Sequence, residues 1–153
     1  MLGRTYDGQN CSAARALELV GERWSLLIIR DALFRGMTRF SQFQRSLGVA
    51  PNVLAARLEG FVAAGLMTPR AYSTHPEHRE YLLTKKGRDL QPVLLALTAW
   101  GDRWAAPDGP PVVLEHENCG GTVAPHALCA SCGPLHTTSS VGATPGSAIA
   151  APS

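Results

Sequence analysis

A chain of 153 residues, 45% hydrophobic and 17% charged, has apolar material for one ordinary globular core and not for two. Its formal charge of +2 hides an asymmetry, because every Lys and Arg lies within residues 1–104 while the remainder holds only acids; a basic body points to an anionic partner. Met1–Asn10 lacks the apolar stretch of a secretory signal, and no uncharged apolar run nears the roughly 18 residues of a membrane span, so a soluble intracellular protein without a membrane partner is expected.

Ser12 is placed as the cap of a first helix running through Val20, closed by Gly21. A second helix follows over Arg23–Phe34. Its apolar residues Trp24, Leu26, Leu27, Ile28, Ile29, Ala32, Leu33 and Phe34 cover most of the circumference, as in a central buried helix, and Arg35-Gly36 ends it. The third helix, about Phe40–Leu47, sets Phe40, Phe43 and Leu47 on one stripe and stops at Gly48. The fourth opens at Pro51, whose fixed φ suits the first helical position, and runs to about Ala64 before Gly65; Ala50 is a poor cap. Extended runs at Leu66–Tyr72 and Arg79–Leu83, separated by polar and proline residues, read as a hairpin. Thr84 is then expected to cap one long closing helix, with Leu90, Val93, Leu94, Leu97, Trp100 and Trp104 on a stripe about four turns long.

Four helices, a hairpin and a closing helix give a mainly α fold with a small β-hairpin wing: the winged helix-turn-helix, whose third and fourth elements form the DNA-reading pair. Placed 100° apart, Leu54, Leu58, Phe61 and Val62 of the fourth helix face the core, and Asn52, Ala56, Glu59 and Ala63 face away. Small side chains there let the helix backbone sit deep in a major groove. Asn52 suits adenine, Val53 a thymine methyl, and Arg57 guanine or a phosphate. Residues 30–88 contain ten basic and four acidic side chains, so counterion release should dominate affinity. Arg39, Ser41, Gln42 and Arg45 lie on or beside the third helix near the backbone, and Arg79 and His75 belong to the wing.

Several separated motifs resemble the HxlR-type, more broadly MarR-like, bacterial transcriptional regulators. They are Gly21-Glu22-Arg23-Trp24-Ser25-Leu26-Leu27-Ile28-Ile29-Arg30, Arg39-Phe40-Ser41-Gln42-Phe43, Ala64-Gly65-Leu66, and Tyr81-Leu82-Leu83-Thr84 ahead of Gly87, within a match from Cys11 to about Trp104. The resemblance implies a homodimer that binds double-stranded operator DNA in the cytoplasm, at the nucleoid, and represses or activates adjacent genes; a small-molecule effector is left open. The chain departs from the family's usual pattern at Ala50, where a capping hydroxyl is common. Some regulators of this kind use a cysteine near Cys11 as a redox switch. Cys11 is the redox-sensing candidate here, since a helix N-terminus and nearby Arg15 favour a thiolate.

Past a proline- and glycine-broken linker at 105–111, the segment 112–136 repeats one pattern: His116-Glu117-Asn118-Cys119-Gly120, then Cys129-Ala130-Ser131-Cys132-Gly133. Two ligands bracketing two spacers, with a glycine after, is the shape of a zinc-ribbon half, so His116, Cys119, Cys129 and Cys132 are expected to hold structural zinc. His126 or His136 in place of His116, and a Cys129/Cys132 thiol-disulfide pair, stay open as alternatives. Residues 137–153 are uncharged Ser, Thr, Ala, Gly and Pro with little else and read as a disordered tail. The domain reading is therefore 1–104 winged helix, 105–111 linker, 112–136 ribbon-like segment, and 137–153 tail. No phosphate loop, H-E-x-x-H pair or nucleophile-elbow serine is present, so an enzyme is not expected. The competing functions are a redox protein working through the C-terminal cysteines and a zinc-ribbon interaction adaptor.

Overall fold

The computed structural model describes residues 5–73, 78–136 and 140–146. The chain divides into two compact units, one up to Pro111 and one from Val112 onward. The first contains α1 (Ser12–Val20), α2 (Ser25–Arg35), α3 (Phe40–Leu47), α4 (Pro51–Ala63), β1 (Met67–Ala71), β2 (Arg79–Leu83), α5 (Lys85–Arg88) and α6 (Gln91–Trp104). The second contains a small hairpin, β3 (Leu128–Cys129) and β4 (Gly133–Pro134). Among the described residues no helix is long and apolar enough to cross a membrane.

Ile28, Ile29, Phe43, Leu54 and Leu58 have no exposed surface, and Phe61, Leu66, Met67 and Leu94 close the same cluster. At about 1.5–3 kcal/mol for each large apolar side chain removed from water, this cluster fixes how α2, α3, α4 and α6 pack. Gly48 ends α3 at φ 61°, a left-handed turn that a side chain resists. Val49, 4% exposed, plugs the turn between α3 and α4 into the core. Asp31 is fully buried on α2, and its desolvation is offset by three partners. Arg30 Nε donates to it at 2.9 Å and Ser46 Oγ of α3 at 2.6 Å, while the Arg35 guanidinium lies 3.9 Å away. The helix-turn-helix is therefore held to α2 by polar as well as apolar contacts.

Strands β1 and β2 pair antiparallel, Met67 opposite Leu83 and Ala71 opposite Arg79. A third edge is added where Tyr81 N–H donates to Thr38 O at 2.7 Å and Arg39 bridges Glu80.

Three local expectations need correction. Cys11 and not Ser12 is the N-cap of α1; Ser12 is the first helical residue. Leu27, taken as core, is 38% exposed, because a helix with a core on one side leaves part of a continuous apolar run outside. The closing helix is two helices: Thr84 caps only α5, accepting from Gly87 N–H at 3.2 Å. The chain then turns at Asp89-Leu90 before α6, whose second residue is Pro92; a proline lacking N–H and crowding the preceding turn suits a helix start and not an interior.

The α5 turn is stitched to the end of α4. Thr84 Oγ1 donates to Gly65 O at 2.6 Å, Thr84 N–H to Leu66 O at 3.0 Å, and Lys86 Nζ to Ala64 O at 2.7 Å. A Cβ on Gly87 would stand 2.3 Å from Leu66 O and 2.8 Å from Leu83 Cδ2. Because the first obstacle is backbone, Gly87→Ala is expected to destabilise the first unit by about 1–3 kcal/mol. A urea titration followed by circular dichroism reads this as a lower midpoint; an unchanged midpoint would show that the α4–α5 junction yields freely.

Candidate nucleic-acid interface

The exposed surface of α4 follows from which of its residues the core takes. Leu54, Leu58 and Phe61 are buried and Val62 is half-buried, leaving Asn52, Ala56, Glu59 and Ala63 exposed. The first half of this face is uncharged and small; Glu59 is the acid in its second half. A phosphate backbone is tolerated beside Pro51–Ala56 and repelled beside Glu59, so the N-terminal half of α4 is the end suited to enter a groove. No side chain caps α4, which leaves its first N–H groups open to an anion.

Arg57 does not lie on that face. Its guanidinium turns back to form an ion pair with Glu22 in the α1–α2 turn, its side chain is 22% exposed, and its buried Nε has no hydrogen-bond partner. The guanidinium therefore ties α4 to the α1–α2 turn. Val53 is half-buried against the core, and Asn52 and Ala56 are exposed as expected.

On α3, Ser41 and Arg45 are exposed. Gln42 is also exposed, but its amide oxygen accepts from Thr38 N–H and Arg39 N–H, each at 3.0 Å, so half of its amide caps the helix and only the other half is available to DNA. Arg39 lies over the Tyr72 ring at 4.2 Å and 3.6 Å from Glu80, joining the start of α3 to the wing. Glu80 also accepts from Arg70 at 2.7 Å and from Thr38 Oγ1 at 3.2 Å. The Arg70 hydrogen bond, with Thr38 and the nearby Arg39 charge, holds the Glu80 carboxyl below the usual carboxylate range. Its contribution is therefore intact at neutral pH and is lost only as pH falls through that lowered value. Sequence reasoning missed Glu80, Thr38, Tyr72 and Glu22, whose roles arise from contacts between distant elements.

Arg79 is exposed at the start of β2, and among the described residues neither it nor Arg45 has an ion pair. His75 lies outside the described residues. Exposed arginines thus stand on the neighbouring elements, Arg45 on α3 and Arg79 on β2, while the exposed Arg39 and Arg70 share Glu80.

Two further features bear on function. The α6 stripe buries Leu94 but exposes Val93 (48%), Leu97 (49%), Trp100 (63%) and Trp104 (66%), and α1 exposes Leu17 and Leu19. Cys11 is exposed at the α1 N-cap. The Ala14 and Ala13 N–H groups facing its sulfur, with a smaller contribution from Arg15, hold its thiol below the ordinary range.

In the second unit His116 Nδ1 stands 3.2 Å from Cys119 Sγ. Cys129 has its thiol lowered by the Ser131 and Cys132 N–H groups and by the Cys132 side chain. Among the described residues no three His, Cys, Asp or Glu side chains stand close enough to hold a metal. His126 and His136 are exposed. Residues 140–146 have no regular secondary structure, and the rest of the expected tail lies outside the described residues.

Residues 19–109 match the model of the HxlR-like helix-turn-helix family. An uncharacterised HTH-type transcriptional regulator of Mycobacterium tuberculosis is 44% identical over 146 residues, covering 95% of this chain and 90% of that one. Among solved structures, PA1607, described as a candidate transcription factor, is 39% identical with a TM-score of 0.77, covering 90% of this chain and 97% of that one. The redox regulator HypR in its reduced form is 26% identical with a TM-score of 0.57, covering 63% of this chain and 95% of that one.

Proposed function

Since the chain belongs to the HxlR-like helix-turn-helix family and is an HTH-type transcriptional regulator, not an enzyme, we propose that it works as a homodimer. In this reading each copy sets the N-terminal half of α4 into a major groove of operator DNA. The observation that carries it is the small, uncharged, exposed surface at Asn52 and Ala56, flanked by exposed arginines. Asn52 offers an amide to adenine, Ala56 permits close approach, and Arg45 and Arg79 neutralise phosphates. Arg57 positions α4 through Glu22 and does not touch DNA. The exposed stripe of α6 is the dimer surface: an apolar strip this long supports a second copy of the chain as its cover.

The test is to sequence DNA fragments co-purifying with the protein from its own cells and measure binding to them. Enriched fragments should share two roughly symmetric half-sites with centres about one helical turn, or a multiple, apart. Binding no tighter than to random DNA at moderate salt would overturn sequence-specific regulation.

Cys11 is the site at which oxidation acts in this reading. Its exposure, the N–H groups facing its sulfur and the similarity to the redox regulator HypR support it. Alkylation of Cys11 near neutral pH should be faster in the folded protein than in the urea-unfolded chain, and Cys11→Ser should make DNA binding insensitive to oxidant. Equal alkylation rates, or an oxidant response that survives the substitution, would remove Cys11 from the mechanism.

A further inference from the structure

The family match ends at residue 109, and the segment from Val112 to His136 beyond it carries three of the four cysteines. It has almost nothing else to hold it. No side chain there is fully buried: Leu114, Val123 and Leu135 are half-covered, while Val112, Val113 and Leu128 are more than half exposed. A peptide this short without an apolar core needs a cross-link of some kind.

Its two turns are built alike. In the first, Cys119 N–H and Gly120 N–H both donate to His116 O, at 3.2 and 2.7 Å, and Gly120 takes φ 69°. This tight turn brings the His116 ring nitrogen and the Cys119 sulfur 3.2 Å apart. In the second, Cys129 and Gly133 pair across the β3–β4 turn and Gly133 takes φ 89°. Each turn thus brings its two donor residues together, with a left-handed glycine directly after the second, which is the local form of a zinc-ribbon half.

We propose that the segment closes on one Zn²⁺ ion bound by His116, Cys119, Cys129 and Cys132, a four-coordinate structural site. Among the described residues these side chains do not form a group of three, so the proposed site requires the two turns to come together on the ion. The thiol protons leave to solvent as the three Zn–S bonds form, and the His116–Cys119 contact is exchanged for shared coordination. The site has no open position and stabilises the segment without catalysing a reaction.

The full-length chain, reduced and stripped with chelator, is titrated with Co²⁺ as a spectroscopic stand-in and then with Zn²⁺. The expected result is the intense visible spectrum of tetrahedral cobalt with thiolate charge-transfer bands, saturating at one ion per chain and abolished by Zn²⁺. Cys119→Ser and Cys132→Ser should each remove most of the charge-transfer intensity, and His116→Ala should shift the visible bands, while the helical circular dichroism of each variant stays unchanged. Absence of a tetrahedral spectrum overturns the site, as does a spectrum indifferent to Cys119→Ser or saturation at one ion per two chains. A spectrum that ignores His116→Ala and answers to His126→Ala or His136→Ala overturns the ligand set.

Discussion

Replacing Leu97 with glutamate is expected to yield a monomer whose operator affinity is lower by about a hundred- to ten-thousandfold, the loss that follows when two linked half-site contacts become independent. Leu97 sits at the middle of the α6 stripe, 49% exposed, between Leu94, which the core takes, and Trp100, which it does not. A carboxylate there meets water in a single chain and an apolar surface in a pair, so it penalises association and spares folding. The two effects separate cleanly in sedimentation, which reads the mass, and thermal unfolding of the dilute protein, which reads the fold. A Leu97→Glu protein that stays dimeric would move the dimer surface away from α6.

Ala56→Glu is expected to take specific binding down to the level of random DNA, a loss of about a thousandfold or more. The residue is exposed on α4 and glutamate is a good helix former, so the helix itself is undisturbed. The longer side chain keeps the backbone out of the groove and brings a negative charge to a phosphate-lined channel. Asn52→Ala, which removes one amide and leaves the shape, is the milder change: about 1–3 kcal/mol of discrimination at one base pair, with non-specific binding unaffected. A specific affinity unchanged by Ala56→Glu would mean that α4 is not the element in the groove.

How much of this was legible in the chain depends on the range of each interaction. α3 and α4 were readable because their signals are local: an apolar stripe of Phe40, Phe43 and Leu47, a stop at Gly48, a start at Pro51. Asn52 and Ala56 fell on the exposed side because Leu54, Leu58 and Phe61 leave no other choice. The break between α5 and α6 was also written locally, in Pro92, but the long apolar stripe across it masked the signal. The Arg57 ion pair is not legible for the opposite reason. Its partner Glu22 lies far away in sequence, and helix phase places a side chain on a flank without saying which charge it will meet. Glu80 is similar: one acid in a strand gathers Arg39, Arg70 and Thr38 only once the hairpin lies beside the start of α3. For the cysteines, spacing shows two turns of like form, and in the proposed site their convergence is left to the ion.

Dimethyl sulfate protection on an operator fragment tests the central claim most directly, since guanine N7 lies on the major-groove floor. With the α4 surface in the groove, protected guanines should fall in two symmetric patches about one helical turn apart, and Ala56→Glu should erase both patches together. Tight, specific binding that leaves every guanine N7 reactive, or a protection pattern that survives Ala56→Glu, would contradict it.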